Sequence, residues 1–497
     1  MPMKRDDQKI NVCLYLEGTY PYVAGGVSGW VHELIQEQAH LTFYITAILP
    51  PDASLEYRYE LPPNVLGIQN IILHRLRKGH RLSTREQKKL FQRLETPLLN
   101  LQSRARTRDL QKVMNLLSET RQPLGRDILM NSNEAWVMML RMYNTTMGNN
   151  SFLDYFWSWR ALLGGLYSML MAEIPEADCY HALCTGFAGL LLAKTRLETQ
   201  KPCLLTEHGI YTNERRIEIG AADWLQDPRS LNLSVDRNRF EKNLRDLWIE
   251  TFAGYSKLCY EACEQIFTLY EGNKVLQLED GAAPEKLFII PNGIDFERYS
   301  QVIRDTDHPP TVALIGRVVP IKDIKTYIRA VGILHRSVKN LRAWIMGPME
   351  EDPDYYQECL EMVEYDKLQD VVQFTGKVKI DEYLGRIDVI VLTSLSEAQP
   401  LVLLEAGAAG IPSVATEVGS CREIIEGRSD EAPALGAGGV VCSLSSPAEV
   451  AQALERLLVD HAFYQSCSLA MKERVRKYYN KTDQHQAYRD VYAQYVS

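Results

Sequence analysis

Short apolar runs alternate with longer amphipathic stretches along much of this chain. In the second half, the apolar runs cover residues 311–315, 341–346, 371–374, 388–392, 412–415 and 439–442. Between the first two runs, apolar residues recur at helical spacing from Ile324 to Leu334. Strand-length runs that alternate with helical patterns predict an α/β domain with a parallel, doubly wound sheet.

The first half repeats this theme less regularly. Its predicted strands are residues 10–16, 42–49, 70–74, 177–181, 203–206, 265–269 and 287–290. Residues of about 75–175 break the alternation, because they are helical in pattern, charged, and rich in Leu, Met and Arg. We interpret this segment as an insertion into the first domain, suited to acceptor or partner recognition.

The length of 497 residues exceeds the size at which one hydrophobic core keeps growing, so two domains are expected. Asp and Pro residues interrupt any regular pattern at 300–310, where we place the linker. The prediction is an N-terminal Rossmann-like domain at 1–302 and a second one at 303–477. A C-terminal helix within 478–497 would pack back on the first domain, with Tyr488, Val491 and Tyr495 as its apolar face.

Charge and composition exclude several classes of protein. The formal charge of −9 argues against general nucleic-acid binding. No apolar run is long enough to cross a bilayer, and the first residues do not resemble a signal peptide. We therefore expect a cytoplasmic protein, with any membrane association peripheral and at the inner face of the cytoplasmic membrane.

The ten cysteines lie mostly in apolar, strand-like runs, as Cys13 and Cys203 do. This placement predicts small core residues in a reducing compartment. Cys259 and Cys263 share a helical face but lack a nearby partner pair of His or Cys residues, so no metal site is expected.

One segment is strongly basic. Between Arg75 and Arg93 the chain carries eight Lys and Arg residues against Glu86 alone. A solvated helix face would account for this run. The alternative is a patch that faces anionic lipid or an acidic partner subunit.

The segment that follows the predicted strand at 388–392 carries the most specific chemistry. Residues 394–399 read as a loop, and Pro400 fits the first position of a helix, where its missing N–H costs nothing. The free N–H groups of that helix start, flanked by Gln399 and Leu401, together with the positive end of the helix dipole, would hold an anion such as a diphosphate.

Two carboxylates lie eight positions apart in this segment. Glu397 belongs to the loop and Glu405 to the helix, so one could accept hydrogen bonds from sugar hydroxyls and the other from a ribose. Taken by itself, the pair is better explained by a solvated loop residue and an exposed helix position.

Two other segments offer groups for a phosphate. Gly316-Arg317-Val-Val-Pro-Ile-Lys322-Asp follows the first strand of the second domain, so Arg317 and Lys322 would place fixed positive charge where a nucleoside diphosphate leaves. Gly25 and Gly26 follow the first strand of the chain, in a loop before a helix expected to begin near Trp30. These adjacent glycines allow close backbone approach but do not match the dinucleotide fingerprint, which disfavours a nicotinamide enzyme.

Four polar residues lie at predicted strand ends of the first domain. His181 and His208 are isolated histidines, for which a structural role is commoner than a catalytic one. Glu17 and Glu207 could meet an acceptor hydroxyl, with His208 beside them.

Two smaller motifs complete the set. Asn292-Gly293 predicts a tight turn. Glu423, in Val-Gly-Ser-Cys-Arg-Glu, either steadies the pocket or caps a helix.

The order of these motifs resembles the retaining GT-B glycosyltransferases of family GT4. The similarity is carried by Glu397-x7-Glu405 with the following Ala-Gly-Ala-Ala-Gly-Ile-Pro, by Gly-Arg317…Lys322-Asp, and by Ile-Pro-Asn-Gly-Ile-Asp. It implies an α/β GT-B fold: two Rossmann-like domains, an interdomain cleft and a C-terminal crossover helix. The chain departs from the family in having Ala398-Gln399-Pro400 after the first Glu, and Leu183 in place of a second histidine beyond His181.

The opening segment around Gly25-Gly26, together with the insertion, is more closely similar to the PelF family of cytoplasmic glycosyltransferases in Pel exopolysaccharide synthesis. The resemblance implies transfer of a hexose or N-acetylhexosamine from a UDP-sugar to a growing polysaccharide, with retention and without a metal or other cofactor. It also implies membrane-bound synthase or export partners.

The resemblance assigns a role to each matching residue. Arg317 and Lys322 would stabilise the leaving UDP, Glu397 and His181 would contact the donor sugar, and Glu405 would hold the ribose. The alternatives are an ADP-sugar-dependent glucan synthase, a GT-B sugar-nucleotide epimerase and a non-catalytic nucleotide-sugar-binding scaffold. The Lys-x-Gly-Gly loop of glucan synthases is absent, since Val-Ala-Gly-Gly stands at that position.

Overall fold

The computed structural model describes residues 9–120, 124–148, 150–221, 243–305 and 307–496, which divide into two units. The first unit comprises the described residues up to Thr268, residues 274–288, and those from Arg489 onward. The second comprises residues 269–273 and 289–488. Each unit is built around its own sheet.

The first unit contains a seven-stranded sheet with the order β3-β2-β1-β4-β5-β6-β7. Its strands are β1 (Ile10–Glu17), β2 (Phe43–Leu49), β3 (Val65–Ile72), β4 (Ala177–Ala182), β5 (Cys203–Glu207), β6 (Gln265–Thr268) and β7 (Leu287–Ile289). The pairings described for β1 to β6 are parallel. The central strand β1 is fully buried from Val12 to Leu16, because helices cover both faces of the sheet.

The third strand differs from the sequence prediction. It runs from Val65 to Ile72 rather than over 70–74. This strand lies at the sheet edge, and Gly67, Gln69 and Asn70 interrupt its apolar run, so periodicity alone does not reveal it. Gly67 leaves room for a neighbouring ring, because a Cβ there would lie 2.7 Å from Tyr44 Cε2.

Ten helices with described bounds accompany this sheet. They are α1 (Gly26–Glu37), α2 (Thr84–Arg104), α3 (Thr107–Ser118), α4 (Arg126–Leu129), α5 (Asn133–Thr146), α6 (Phe152–Leu170), α7 (Phe187–Thr199), α8 (Tyr211–Ala221), α9 (Leu244–Ala262) and α10 (Glu271–Glu279). Helices α2 to α6 lie between β3 and β4, which confirms the helical character predicted for about 75–175. Phe91 and Trp159 of this segment share one apolar core with Tyr15 of the sheet, so the insertion is integral to the first unit.

The second unit contains a six-stranded sheet with the order β10-β9-β8-β11-β12-β13, and all its pairings are parallel. The strands are β8 (Thr311–Ile315), β9 (Arg342–Met346), β10 (Val372–Gly376), β11 (Val389–Leu392), β12 (Ser413–Thr416) and β13 (Gly439–Cys442). Each of the six predicted strands is therefore confirmed, with its ends shifted by two residues at most.

Helices cover both faces of this second sheet. They are α11 (Phe296–Ser300), α12 (Ile324–Leu334), α13 (Pro353–Tyr365), α14 (Asp381–Leu384), α15 (Leu401–Ala408), α16 (Cys421–Glu426), α17 (Pro447–Val459), α18 (His461–Tyr478) and α19 (Lys481–Ala493). Two apolar clusters result, one on each side of the sheet. Nine of the ten cysteines are buried and Cys184 is partly exposed, as expected for core residues.

The C-terminal helix α19, from Lys481 to Ala493, lies within the predicted range 478–497. Tyr488 and Val491 are buried as predicted, and Tyr492 is fully buried. The residues from Arg489 onward belong to the first unit, so the end of the chain returns to the domain in which it began.

A buried ion pair holds α18 to the loop that follows α16. Arg474 is completely buried, and its guanidinium donates to both carboxylate oxygens of Glu431, at 2.6 and 3.0 Å. It also donates to the carbonyl oxygens of Ile424, Ile425 and Gly436. Removing the guanidinium would take a donor from each of these acceptors and would leave Glu431 with the N–H of Leu435 but without its cation.

We expect Arg474→Met to lower the free energy of unfolding by about 3–5 kcal/mol, because it leaves a buried carboxylate unpaired. Urea denaturation followed by circular dichroism measures this change. Arg476→Met is the matched control, since Arg476 pairs with Glu473 in the same helix but at the surface. An equal loss in both variants would contradict the assignment of the effect to burial.

Candidate active site

The donor-side candidates lie at the switch point of the second sheet. Strand β8 pairs with β9 on one side and with β11 on the other, so the loops after β8 and β11 leave the same edge side by side. In open α/β sheets, ligands bind at such a point, outside the carboxyl ends of the strands.

Hydrogen bonds tie these two loops together. Thr393 Oγ1 lies 3.0 Å from the carbonyl oxygen of Lys322 and 2.9 Å from that of Asp323. The N–H of Leu395 donates to the carbonyl oxygen of Ile321 at 2.8 Å. The loops therefore form one framework, from which the charged side chains project.

The structure brings together two of the predicted residues, Lys322 and Glu397. Lys322 Nζ forms an ion pair with Glu397 Oε1, and the hydroxyl of Ser394 donates to the same oxygen at 2.6 Å. The two charged side chains are only 20% and 14% exposed, so water screens this pair weakly. Lys322 can bind a phosphate only by sharing or exchanging this carboxylate partner.

Arg317 has a different environment. Its guanidinium pairs with Glu351, and both side chains are about half exposed. Surface pairs of this kind contribute little stability, so an incoming anion can take the place of Glu351 at small cost. Arg317 is thus the more readily available of the two cations.

The helix after this loop starts one residue later than predicted. Pro400 occupies the N-cap position, with an extended backbone, and Leu401 is the first helical residue. The proline side chain cannot accept a hydrogen bond, so it does not cap the first N–H groups of α15. These groups and the positive end of the helix dipole are available to an anion.

Gln399 is held against the backbone of Asn292. The N–H of Asn292 donates to Gln399 Oε1 at 2.8 Å, and Gln399 Nε2 donates to the Asn292 carbonyl oxygen at 3.3 Å. The side chain is 7% exposed. In this arrangement Gln399 anchors the loop, and its contact with a donor stays a prediction.

Asn292 and Gly293 do not form the predicted tight turn. They have no assigned turn and precede Ile294, which forms a bridge with Asn480. A Cβ at Gly293 would lie 2.5 Å from the backbone nitrogen of Lys481, so glycine is required here by a close approach of two segments.

Glu405 contacts a residue that the sequence analysis did not identify. Its Oε1 accepts a hydrogen bond from the hydroxyl of Tyr299, on α11, at 3.0 Å. Burial raises the pKa of the Glu405 carboxyl, and the bond from Tyr299 opposes this shift. A polar ligand that supplied further hydrogen bonds would favour the carboxylate form.

The downstream motif supports the same loop. Gly419 has a left-handed backbone, and a Cβ there would lie within 2.4 Å of the carbonyl oxygens of Glu397 and Ala398. The N–H of Ser420 donates to the Ala398 oxygen at 2.9 Å. Glu423 accepts a hydrogen bond from the N–H of Glu271 at 2.9 Å, at the first residue of α10, so it caps a helix, which was one of its two expected roles.

The candidates of the first unit gather at the switch point of its own sheet, between β1 and β4. Glu17, at the end of β1, accepts hydrogen bonds from the Tyr211 hydroxyl at 2.8 Å and from the Ala188 N–H at 3.3 Å. The thiol of Cys184 lies 3.5 Å from the same carboxylate. The carboxylate of Glu17 lies at the start of α7, which is favourable because a negative charge there complements the helix dipole.

Glu207 lies in the interior of the first unit and is fully buried. Its carboxylate accepts hydrogen bonds from the hydroxyls of Thr185 and Tyr260, the N–H of Tyr211 and the amide of Gln277, at 2.8 to 3.1 Å. Burial raises the pKa of this carboxyl, against the effect of the four donors. Glu207 therefore joins several segments in the interior of the first unit. Its contact with an acceptor stays a prediction, and the buried position does not support it.

Gly25 and Gly26 lie at a helix start rather than before one. Helix α1 begins at Gly26, four residues earlier than expected, with Gly25 as its N-cap. Both glycines are exposed, and a Cβ on either would meet no described atom within 4 Å. Nothing described in the first unit therefore requires glycine here. Space for a ligand would explain the choice.

His208 packs against Trp30 of α1. The two rings meet edge to face, with centroids 4.7 Å apart. Burial lowers the pKa of His208 to about 4, so the imidazole is neutral at physiological pH.

His181 is buried between two hydroxyl groups. Its Nδ1 lies 2.7 Å from the Tyr492 hydroxyl and its Nε2 lies 2.9 Å from Thr206 Oγ1. Burial, with a smaller effect of His208, lowers the pKa of His181 to about 3. In this position the imidazole fastens the end of α19 to β4, and its predicted contact with a donor sugar stays a prediction.

Several partners in these sites were missed by the sequence analysis: Ser394, Tyr299, Glu351, Tyr211, Tyr260, Gln277 and Tyr492. Apart from Ser394, which lies in the loop of residues 394–399, none belongs to a motif of special spacing, and each of the others acquires its role only by proximity in the fold. The hydroxyl and carboxylate groups gave no local signal that would have identified them.

Each of two parts of the chain matches a known protein family. Residues 10–285 match the family described as "Domain of unknown function (DUF3492)", which is more than half of the chain. The chain belongs to the DUF3492 family. Residues 309–460 match the family described as "Glycosyl transferases group 1". The second unit of this DUF3492 protein is thus similar to group 1 glycosyltransferases over residues 309–460.

A curated relative aligns with only part of the DUF3492 protein. A D-inositol 3-phosphate glycosyltransferase from Paenarthrobacter aurescens is 31% identical over 197 residues, which is 36% of this chain and 45% of the relative. The chain spans less than half the length of the first curated relatives that it matches.

Solved structures show that the DUF3492 protein has the GT-B fold. HepE from Anabaena in complex with UDP covers 98% of this chain and 100% of its own, with a TM-score of 0.58 and 12% identity. A sucrose-phosphate synthase from Thermosynechococcus elongatus covers 97% of this chain and 99% of its own, with a TM-score of 0.57 and 15% identity. The predicted fold class, two Rossmann-like domains with parallel sheets, is confirmed. None of the helices in the described ranges combines the length and apolar surface that a bilayer crossing requires.

The buried histidines make stability depend on pH. A free histidine titrates near pH 6.5, whereas His181 in the folded protein titrates near pH 3, so the unfolded state binds more protons between these values. The stabilisation of the folded state by neutral His181 is complete above about pH 6.5 and is lost as pH falls. In wild type we expect His181 to account for a loss of about 2 kcal/mol in unfolding free energy between pH 7 and pH 5.

Urea denaturation at both pH values measures this loss. In His181→Gln the unfolding free energy should fall less between pH 7 and pH 5, by about that amount. Exposed His335→Gln is the control and should follow the wild-type profile. Parallel profiles for wild type and His181→Gln would show that His181 is not the titrating group.

Proposed function

We propose that this DUF3492 protein is a retaining glycosyltransferase that transfers a hexose or N-acetylhexosamine from a UDP-sugar to a growing exopolysaccharide chain. The observation that carries the proposal is the cluster at the carboxyl ends of β8 and β11. There one edge of the sheet carries the ion pairs Arg317–Glu351 and Lys322–Glu397 and the start of α15, which has no capping side chain.

Departure of the nucleotide requires positive charge that is already in place. Arg317, Lys322 and the N–H groups at the start of α15 would stabilise the negative charge that develops on the diphosphate as its bond to the sugar breaks. In the protein without ligand, Glu351 and Glu397 neutralise these cations. A bound diphosphate would replace both carboxylates as the partner of Arg317 and Lys322.

The carboxylates fit the recognition of hydroxyl groups. Glu405 is fixed by Tyr299 and would accept hydrogen bonds from a ribose, which has neighbouring hydroxyls of suitable spacing. Once a phosphate replaces Glu397 as the partner of Lys322, the carboxylate of Glu397 would accept hydrogen bonds from the donor sugar. The choice of UDP is supported by the fold shared with HepE, which was solved with UDP.

Retention follows if the acceptor enters on the face from which UDP leaves. The bond between the anomeric carbon and the phosphate oxygen breaks, the acceptor oxygen bonds to that carbon, and the acceptor proton passes to the phosphate oxygen. This sequence needs no protein nucleophile. The positive charge of Arg317 and Lys322 would make a metal ion unnecessary.

The polymer role rests on the likeness of the segment around Gly25-Gly26 and of the helical insertion to PelF proteins of Pel synthesis. We therefore propose a Pel-type polysaccharide as acceptor, with membrane-bound synthase or export subunits as partners. An ADP-sugar-dependent glucan synthase and a non-catalytic nucleotide-sugar-binding scaffold are the competing functions that the following measurements distinguish.

Calorimetric titration of the protein with UDP, ADP and GDP tests the donor assignment. We expect UDP to bind most tightly, and Glu405→Ala to weaken UDP binding by about tenfold to a hundredfold, because hydrogen bonds to a charged group are lost. Glu455→Ala removes an exposed carboxylate on α17 of the same unit and should leave UDP affinity unchanged.

A preference for ADP would favour the glucan synthase, and an unchanged affinity in Glu405→Ala would remove the ribose contact from the proposal.

Release of UDP from UDP-glucose, UDP-N-acetylglucosamine and UDP-N-acetylgalactosamine tests the role of the cations. We expect Arg317→Ala to lower kcat by about a hundredfold or more with a smaller effect on UDP affinity, because the charge on the leaving group peaks in the transition state.

Glu351→Gln provides the matched control. Both variants break the Arg317–Glu351 pair, but only Arg317→Ala removes the cation. Turnover in Glu351→Gln should therefore stay near that of wild type. An equal loss in both variants would show that the ion pair is important, rather than the positive charge. UDP binding without release of UDP from any donor, even with acceptor and partners supplied, would favour the scaffold.

A further inference from the structure

A group of apolar side chains on the helical insertion reaches the surface through three exposed members, and none of its residues belongs to either switch point. We call it the aromatic patch: Trp136 on α5, and Phe152, Leu153, Phe156 and Trp157 on α6. The exposed fractions are 43% for Trp136, 62% for Leu153 and 59% for Trp157. These are large apolar surfaces to leave in water, and they adjoin one another.

The aromatic patch is continuous. The Trp136 ring lies 5.9 Å from Phe152 and 5.8 Å from Phe156, measured between centroids. Trp157 lies 5.0 Å from Phe156. Leu153 and Trp157 are four residues apart on α6 and share one face of the helix. The opposite face carries buried residues of the domain core, so the patch faces outward.

One cation adjoins this patch directly, and the basic segment of residues 75–93 is connected to it through α4. The guanidinium of Arg160 lies 5.6 Å from the Phe156 ring and donates to the carbonyl oxygen of Met130 at 3.0 Å, just beyond α4. At the other end of α4, the N–H of Arg126 donates to the Arg77 carbonyl oxygen at 2.8 Å. Helix α4 has four residues and is about 6 Å long, so the basic segment approaches the aromatic patch through this short helix.

The insertion differs in charge from the rest of the chain. Residues 75–175 carry sixteen Lys and Arg against eight Asp and Glu, although the whole chain has a formal charge of −9. An anionic surface would therefore attract this segment and repel the remainder. Such a distribution orients the protein with the insertion towards the surface.

We propose that the aromatic patch and the adjoining cations form a docking surface for an anionic phospholipid bilayer. Trp residues favour the boundary between headgroups and acyl chains, where the ring is half in apolar surroundings. Lys and Arg beside them pair with lipid headgroup phosphates. The binding is peripheral and reversible, since the buried apolar area is small compared with that of a membrane-spanning helix.

The combination of features favours a bilayer over a protein partner. Exposed Trp is also frequent at protein interfaces. However, the excess of positive charge is concentrated in residues 75–93, which carry eight Lys and Arg against Glu86 alone, and such a strongly basic segment suits attraction to anionic headgroups. The inference is independent of the proposed transferase activity, because it involves neither switch point.

Sedimentation of the full chain with lipid vesicles tests the proposal. We expect binding to vesicles of phosphatidylcholine and phosphatidylglycerol in equal parts, weak binding to phosphatidylcholine alone, and a blue shift of tryptophan emission on binding. The double variant Leu153→Ser with Trp157→Ser should lower partitioning by at least about tenfold. Both side chains are exposed, so the fold should tolerate the change.

Matched controls separate the patch from general surface effects. Tyr365→Ser removes an aromatic ring that is 87% exposed on the second unit, and it should bind vesicles like wild type. Lys78→Gln with Arg126→Gln should weaken binding by about fivefold for each charge, whereas the exposed Lys339→Gln should not. The affinity for UDP should be the same in all these variants.

Three results would overturn the proposal. Failure of wild type to sediment with any vesicle would exclude the bilayer. Equal binding by wild type and the Leu153→Ser, Trp157→Ser variant would exclude the aromatic patch. A concentration-dependent mass in light scattering that Trp157→Ser abolishes, without vesicle binding, would assign the patch to a contact between two copies of the chain.

Discussion

The donor side of this protein depends on the parallel pairing of β8 with β11. These strands are not consecutive along the chain, yet they lie side by side at the point where strand order reverses. Because both run in the same direction, the loops after them leave the same edge of the sheet. The bonds of Thr393 and Leu395 to the neighbouring loop then fix the position of Lys322 relative to Glu397.

Charge at this edge is balanced within the protein. An isolated ammonium or carboxylate at a site with little exposure would be costly, so Lys322 and Glu397 neutralise each other. Arg317 and Glu351 do the same nearer to solvent, where the pairing costs and contributes less. The two cations therefore differ in how readily they exchange a carboxylate for a phosphate. This difference arises from burial, since both residues belong to one short motif.

The first unit uses the same sheet architecture for a different purpose. The polar groups at its switch point are largely turned inward, where Glu207 joins four donors and His181 fastens the last helix to the sheet. The surface features of this unit are the open helix start at Gly25-Gly26, after β1, and the insertion with its aromatic patch and basic segment. Interior polar bonds thus hold the scaffold together, while the exposed segments are available to substrates and surfaces.

The sequence by itself determined the sheet of the second unit, the helical insertion and the family resemblance, because each rests on local periodicity or on a short motif. It also placed Lys322, Glu397 and Glu405 in loops and a helix at one end of parallel strands. It failed where a residue's environment is set by distant parts of the chain. The edge strand β3 lacks a continuous apolar run, and Gly293 is required by the approach of Lys481 rather than by a turn.

Only the tertiary structure decided which partner each charged group has. Tyr299, Glu351 and Tyr492 are separated by long stretches of chain from the residues they contact, so no spacing rule could indicate them. The structure also decided that Glu207 and His181 are interior. Burial depends on how helices and strands pack, and hydrogen bonds depend on distances of a few ångströms between elements, neither of which local sequence encodes.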